Sequence, residues 1–420
     1  MHRAAILAVG SELLTPIRVD TNSLLITEQL ERLGIQVVYK SVVGDDRAEL
    51  AAAVRTALDR VDLLVCCGGL GPTEDDRTRE VVADVLGRAL VEDPRIVAAI
   101  EARFASRRLS MPAINRRQAM VPSGARVIDN LKGTAPGLWF ESERGFVLLL
   151  PGPPRELAAM LAWSVDALLL PHAPGLSLVR RVIRITGRTE SQAEEAVQPL
   201  YVKWAEQPMP VSATILASLG QIELHVSARA ASREAVQSAV DRAADDVADV
   251  LGLDVYSSNG DPLEQVVGGL LQAHGFRIAV AESCTGGLLA SRLTDVAGSS
   301  RYVERAVVAY ANEAKVSLLG VPEALIAAEG AVCESVARAM AEGIRSRAGV
   351  DVGVGVTGIA GPGGGSAEKP VGTVAIAAVV LGETRSRTFG FSGDREQVKF
   401  QATQAALDMV RRMLVSRPLA

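Results

Sequence analysis

The chain has 420 residues, 48% of them hydrophobic and 22% charged, which supports sizeable cores and, at about 150 residues per domain, predicts about three domains. Four scattered histidines (His2, His172, His225, His274) and four cysteines (adjacent Cys66 and Cys67, then Cys284 and Cys333) give neither zinc-ligand spacing nor a disulfide framework, so chemistry falls to carboxylates, hydroxyls, Lys and Arg. A net charge of −5 excludes a global basic field for nucleic acid.

The longest apolar run, Val374 to Leu381, is far below the ~20 residues of a membrane helix, and the N-terminus carries no signal-peptide pattern. A soluble, cytoplasmic protein is expected. From residue 3 to about 170, apolar runs such as RAAILAV, VDLLVCCGG and FVLLLPGPP alternate with helical patterns such as SLLITEQLERLGI and RAELAAAVRTALDRV. Continuous apolar strands between helices predict a parallel sheet covered on both faces. PHAPGLS, residues 171–177, reads as a linker. Beyond it the order strand, helix, strand, strand, helix, strand, from RRVIRITG to LDVYSS, predicts a small βαββαβ domain. After SSNGDP, residues 257–262, the alternation resumes and ends in the helix DREQVKFQATQAALDMVRRML. The predicted class is α/β: two doubly wound α/β domains, residues 1–172 and 258–420, joined by a small α+β middle domain, residues 173–257.

Open α/β sheets bind ligands at loops on the C-terminal ends of their strands. In the first domain such loops carry GSELL with VDTN, VVGDD with Asp45 and Asp46, and GGLGPTEDDRT. Gly68, Gly69 and Gly71 let the backbone cradle an anion, and Asp75 and Asp76 beside them are oxygen ligands of the kind Mg²⁺ shares with a phosphate. The plainer reading is a tight turn in which Asp75 caps the helix starting at Thr78. Arg116 and Arg117 either reach phosphate or face solvent or an interface.

In the last domain AESCTGG follows a strand and opens a helix. A hydroxyl there sits on a tight turn, where the amides of Cys284 to Gly287 can face an oxyanion; alternatively Ser283 or Thr285 simply caps the helix. Lys315, in YANEAK with Tyr310 and Asn312, serves as a base if burial lowers its pKa, and is otherwise surface charge. Cys284 is a rival nucleophile or a packing residue. The glycine-rich loop at 358–372 suits wrapping a substrate. Arg395, in the first turn of the terminal helix, can hold phosphate with the helix dipole or pair with a carboxylate.

GSELL, VDTN, GGLGPTEDDRT, NRRQA, KGTAPG and LPGPPRE resemble the N-terminal domain of the CinA family (competence/damage-inducible protein A). That domain is similar to the molybdopterin-binding fold and acts in the family as a metal-dependent ADP-ribose pyrophosphatase. The resemblance implies Asp76 as the metal-site carboxylate with Asp45 as helper, a divalent cation such as Mg²⁺, and a pocket completed by Gly69, Gly71, Thr134, Gly137 and Glu156. AESCTGG, AGSS, YANEAKVSLLGV, TGIAGPGGGSAEKPVGTV and FSGDREQV resemble the C-terminal domain of the same family, similar to stand-alone nicotinamide mononucleotide deamidases. This implies Ser283 as nucleophile, Lys315 as general base, Tyr310 assisting, and Thr357, Gly358 and Arg395 lining the substrate site, with no cofactor there. The expected protein is a bifunctional hydrolase of nicotinamide mononucleotide and ADP-ribose, a homodimer that contacts neither membrane nor, directly, nucleic acid. The alternative is a non-catalytic molybdopterin or nucleotide binder, or an adaptor in competence and DNA repair.

Overall fold

The computed structural model describes residues 1–218 and 220–418. The chain forms two compact units, residues 1–179 with 229–236, and residues 180–228 with 237–420. Both are built of mixed α/β layers, and among the described residues no helix is long and apolar enough to cross a membrane.

The first unit alternates β1 (Arg3–Val9), α1 (Asn22–Arg32), β2 (Gln36–Val43), α2 (Arg47–Leu58), β3 (Leu63–Cys67) and α3 (Thr78–Val85). Then come β4 (Leu90–Glu92), α4 (Pro94–Ala105), β5 (Met120–Pro122), β6 (Arg126–Ile128), β7 (Gly137–Ser142), β8 (Gly145–Leu150) and α5 (Pro154–Ser164). The main sheet runs β2-β1-β3-β8-β7-β6, parallel through its first four strands and antiparallel at β7 and β6. β3 is buried along its whole length because both faces are covered. Ile6 and Val65 pack with Ile26 and Leu30 of α1 on one face, while Leu7 and Leu64 pack with Leu50 and Val54 of α2 on the other.

The middle segment contains β9 (Ser177–Ile185), α6 (Glu190–Ala205), β10 (Ser212–Ser218), β11 (Gln221–Ala230), α7 (Arg233–Leu251) and β12 (Val255–Ser257). Its sheet order, β10-β11-β9-β12, is that of a split βαβ arrangement, as the strand–helix order implied.

The remaining elements are α8 (Leu263–His274), β13 (Ile278–Glu282), α9 (Leu288–Thr294), β14 (Val303–Val308), α10 (Asn312–Leu319) and α11 (Glu323–Glu329). They are followed by α12 (Glu334–Ala348), β15 (Val352–Gly358), β16 (Thr373–Val380), β17 (Glu383–Gly390) and α13 (Arg395–Val415). Their sheet runs β14-β13-β15-β16-β17, the first three strands parallel and the last two antiparallel. Gly353 and Gly355 let α12 lie directly on β15: a Cβ at either would come within 2.3 Å of a carbonyl oxygen of Ala341 or Ala337. This close packing fixes the end of β15, where Thr357 sits, beside the end of β13, where Ser283 sits.

Candidate functional site

Two concavities gather the residues singled out in the sequence. The first, about 720 Å³, lies in the first unit among the loops that follow β1, β2, β3 and β8. Asp76, Asp45, Gly69, Gly71, Thr134 and Glu156 all line it. Gly137 does not. It opens β7 beneath α5, and a Cβ there would come within 2.8 Å of Met160 Cε and 2.9 Å of the Leu149 carbonyl, so its smallness serves packing.

Each acidic group is held by its own loop. Asp76 Oδ2 accepts from the Thr73 amide at 2.9 Å and from the Thr73 hydroxyl, which leaves Oδ1 open. Asp45 Oδ2 accepts from the Ser11 amide at 2.8 Å, and Ser11 Oγ accepts from the Asp45 amide at 3.1 Å. Glu156 Oε2 accepts from Asn130 Nδ2 at 2.6 Å. Asp46, by contrast, caps α2 through the amides of Ala48 and Glu49. Asp75 caps nothing: α3 has no side-chain cap, and Asp75 stays exposed at the cleft, its carboxyl held below the usual range by the Thr73 hydroxyl. Arg116 pairs with Glu92 at 2.6 Å and Arg117 with Glu74 at 3.1 Å, so both arginines tie loops together outside the cleft.

Among the described residues no group of three or more His, Cys, Asp and Glu side chains converges to hold a metal unaided. The cleft is nonetheless lined by six carboxylates, and Mg²⁺ ordinarily takes one or two of these and completes its shell with water and phosphate. Asp76 and Asp45 fit that requirement. One structural residue was missed. Arg79 is fully buried and donates to the carbonyls of Leu70, at 2.8 Å, and Arg117, at 3.0 Å, pinning the glycine turn. Next to Asp75 and Asp76 in sequence it reads as surface charge.

The second concavity, about 240 Å³, lies at the ends of β13 and β15. Ser283, Lys315, Tyr310, Thr357, Gly358 and Arg395 all line it. Lys315, on α10, is 2% exposed, and its Nζ lies 3.1 Å from Ser283 Oγ and 3.1 Å from the Tyr310 carbonyl. Burial pushes its pKa below the usual lysine range, against smaller upward pulls from Cys284 and Glu313. Burial also pushes the Cys284 thiol up to about 12, which favours its un-ionised, less nucleophilic form. Thr357 donates to the Ala331 carbonyl at 2.8 Å. Arg395 spans the rim, donating to the Gly361 carbonyl at 2.7 Å and to the Tyr310 hydroxyl at 3.0 Å.

The turn after Ser283 departs from expectation. α9 begins at Leu288, after Gly286 and Gly287 at φ +62° and +97°, so the segment from Cys284 to Gly287 is a turn rather than the first turn of a helix. The Gly286 amide donates to the Ser283 carbonyl and the Gly287 amide to Glu282, so neither of these two amides is open to an oxyanion. Neither Ser283 nor Thr285 caps α9. Fully buried Glu282 does, accepting from the amides of Gly287, Leu289 and Ala290 at 2.8–3.1 Å. Likewise the N-terminus of α13 is closed by Asp394 and Gln397 in a reciprocal capping box, so Arg395 acts through its side chain without the helix terminus. The Asp-x-x-Gln spacing carried that signal; nothing in the sequence marked Glu282.

Family models match in chain order: a molybdopterin binding domain at residues 5–170, the damage-inducible protein CinA KH domain at 180–257, and the CinA C-terminal domain at 260–414. A CinA-like protein of Koribacter versatilis is 48% identical over 416 residues, covering 98% of this chain and 100% of that relative. A protein of Symbiobacterium thermophilum named as competence-damage inducible is 45% identical over 424 residues, covering 98% and 99%. Among solved structures, a CinA superfamily protein of Klebsiella pneumoniae is 35% identical, covers 37% of this chain and 97% of its own, and superposes with a TM-score of 0.36. With similarity of this extent across its whole length, the chain belongs to the CinA family.

Proposed function

We propose that the chain is a bifunctional hydrolase of NAD-related nucleotides. The C-terminal cavity deamidates nicotinamide mononucleotide to nicotinate mononucleotide and ammonia. The N-terminal cleft hydrolyses ADP-ribose to AMP and ribose 5-phosphate with a divalent cation. The observation that carries this reading is the buried Lys315 amine 3.1 Å from the Ser283 hydroxyl.

In the cavity, neutral Lys315 takes the Ser283 proton as Oγ bonds to the amide carbon. The C–N bond then breaks, Lys315 returns the proton to the departing nitrogen, and ammonia leaves. Water, deprotonated by Lys315, attacks the acyl-Ser283 ester; the proton passes back to Oγ and the carboxylate is released. Tyr310, fixed by Arg395, closes the rim. In the cleft, Asp76 and Asp45 would hold the cation, which supplies Lewis-acid stabilisation of charge on the diphosphate. Gly69, Gly71, Thr134 and Glu156 line the same cleft.

An adaptor role in DNA repair finds no support in the middle segment. Over residues 180–257 its glycines stand at 187, 220 and 252, so it lacks the G-x-x-G loop with which KH domains clamp a nucleic-acid backbone. The test is to incubate the protein with each nucleotide, with and without EDTA, and follow ammonia and AMP. Ammonia release insensitive to EDTA and AMP release abolished by it are expected. Turnover of neither substrate would overturn the proposal.

A further inference from the structure

A third concavity, about 920 Å³, lies within the second unit and shares no lining residue with the Ser283 cavity. Its walls are β17, one face of α13 and the turn between β9 and α6. Side chains alternate along β17. Ser386 and Thr388 face α12, where they hydrogen-bond Glu334 at 2.6 and 3.4 Å. Arg385, Arg387 and Phe389 face the other way and line the cavity, and Phe391 continues their row. On α13, Gln401, Gln404, Asp408 and Arg412 recur at helical spacing and form the facing wall.

The row on β17 is an aromatic platform edged by charge. Phe389 and Phe391 are half-buried and stack, with ring centroids 5.3 Å apart and planes 8° from parallel. The Arg387 guanidinium lies 4.9 Å from the Phe389 centroid, and among the described residues it has neither a hydrogen bond nor an ion pair. The other cations have carboxylate partners. Arg385 pairs with Glu383 at 3.1 Å. Arg188 and Arg412 both close on Asp254, at 2.5 and 2.8 Å, and Arg412 takes Asp408 as well. With Glu190 counted, four arginines line the cavity against three carboxylates, an excess that favours an anionic guest. Gln404 adds an unused donor: it is 1% exposed, its Oε1 accepts from Arg292 at 2.7 Å, and its Nε2 makes no hydrogen bond. The volume is within the roughly 300–1,000 Å³ that takes a whole drug-sized ligand.

We propose that this cavity is a second ligand site, built for a mononucleotide. Its heteroaromatic base packs against Phe389 and Phe391, Gln404 offers an N–H to a ring acceptor, and Arg387 engages the phosphate. Neither a ring alone nor a phosphate alone uses both halves of this wall. The inference goes beyond the hydrolase reading and does not rest on it, because no bond is broken here.

The test is photolabelling of the full-length protein with an azido derivative of AMP, followed by mapping of the labelled peptides. Label is expected within residues 385–391 or 401–412, displaced more strongly by unlabelled AMP than by adenosine or by inorganic phosphate. In Arg387→Gln that label should fall about 10-fold, the size of one charge-assisted contact, with the unfolding midpoint unchanged. Calorimetric titration with AMP should show a matching loss of affinity for one site. Label confined to the N-terminal cleft or the Ser283 cavity overturns the proposal, as does equal labelling of wild type and Arg387→Gln. Displacement by phosphate alone as strong as by AMP also overturns it, since the aromatic row would then have no part in binding. None of these readouts depends on turnover, so failure of the hydrolase reading leaves the test intact.

Discussion

Six carboxylates and a single arginine, Arg18, line the cleft of the first sheet, whereas the cavity of the last sheet presents Lys315 and Arg395 and no carboxylate at all. Both lie at the C-terminal ends of parallel strands, so the shared fold explains where they are and not what they bind. An acidic cleft repels a diphosphate unless a cation intervenes; a cationic cavity meets an anion directly. The net charge of −5 describes neither site. Two cavities of opposite charge thus sit in one chain, and the proposed chemistries divide along the same line.

Crosswise substitution is the strongest way to break this comparison. Ser283→Ala removes the proposed nucleophile and should lower ammonia release by about 10³-fold or more, leaving AMP release intact. Asp76→Asn should do the reverse, lowering AMP release by about 10²- to 10³-fold. If either variant abolishes both products, the two-site assignment fails. Chelation sharpens the point without mutation: EDTA should stop AMP release, added Mg²⁺ should restore it, and ammonia release should follow neither.

Lys315 gives a prediction in pH. It acts as a base only when neutral, so kcat/KM for ammonia release should climb with pH through its lowered pKa and level off above it. Lys315→Arg should be inactive throughout, because arginine stays protonated. The same shift acts on stability. Between the lowered value and the ordinary 10.5 the unfolded chain binds more protons than the folded one, so folding stability rises with pH across that window. The penalty for burying the amine is present in full below the window and vanishes above it. Stability of Lys315→Met relative to wild type, measured by urea unfolding, should therefore decline as pH rises towards 10.5. A pH-independent difference would remove the buried ammonium from the account.

The sheets were legible because they rest on local pattern, unbroken apolar runs such as LLVCC at a strand buried on both sides, whereas Thr134, Glu156, Thr357 and Gly358 followed from the resemblance of whole motifs to the family. What escaped depends on partners distant in sequence or on backbone conformation. Gly137 stands in a motif that contributes to the cleft, yet its neighbours are Met160 and Leu149. α9 starts at Leu288 rather than within AESCTGG because positive φ at Gly286 and Gly287 is a property of the folded turn. Arg79 and Glu282 are charged and fully buried, and a charged residue beside a polar loop reads as solvated.

Those two buried charges extend the comparison beneath the sites. Behind the acidic cleft stands a cation, Arg79, and behind the cationic cavity an anion, Glu282, each hydrogen-bonded to backbone groups of the loop it supports. Glu282 spreads its charge over three amides, a role for which an amide side chain is poorly suited: Gln keeps one carbonyl acceptor and turns an NH₂ group towards N–H donors. Glu282→Gln should therefore destabilise the protein by about 1–3 kcal/mol in urea unfolding. It should also lower kcat for ammonia release by about 10-fold, with KM nearly unchanged, because the Ser283 turn loses its anchor before the nucleotide loses its contacts. AMP release should be unaffected. A variant destabilised to this extent but fully active in ammonia release would make Glu282 a cap for α9 and nothing more.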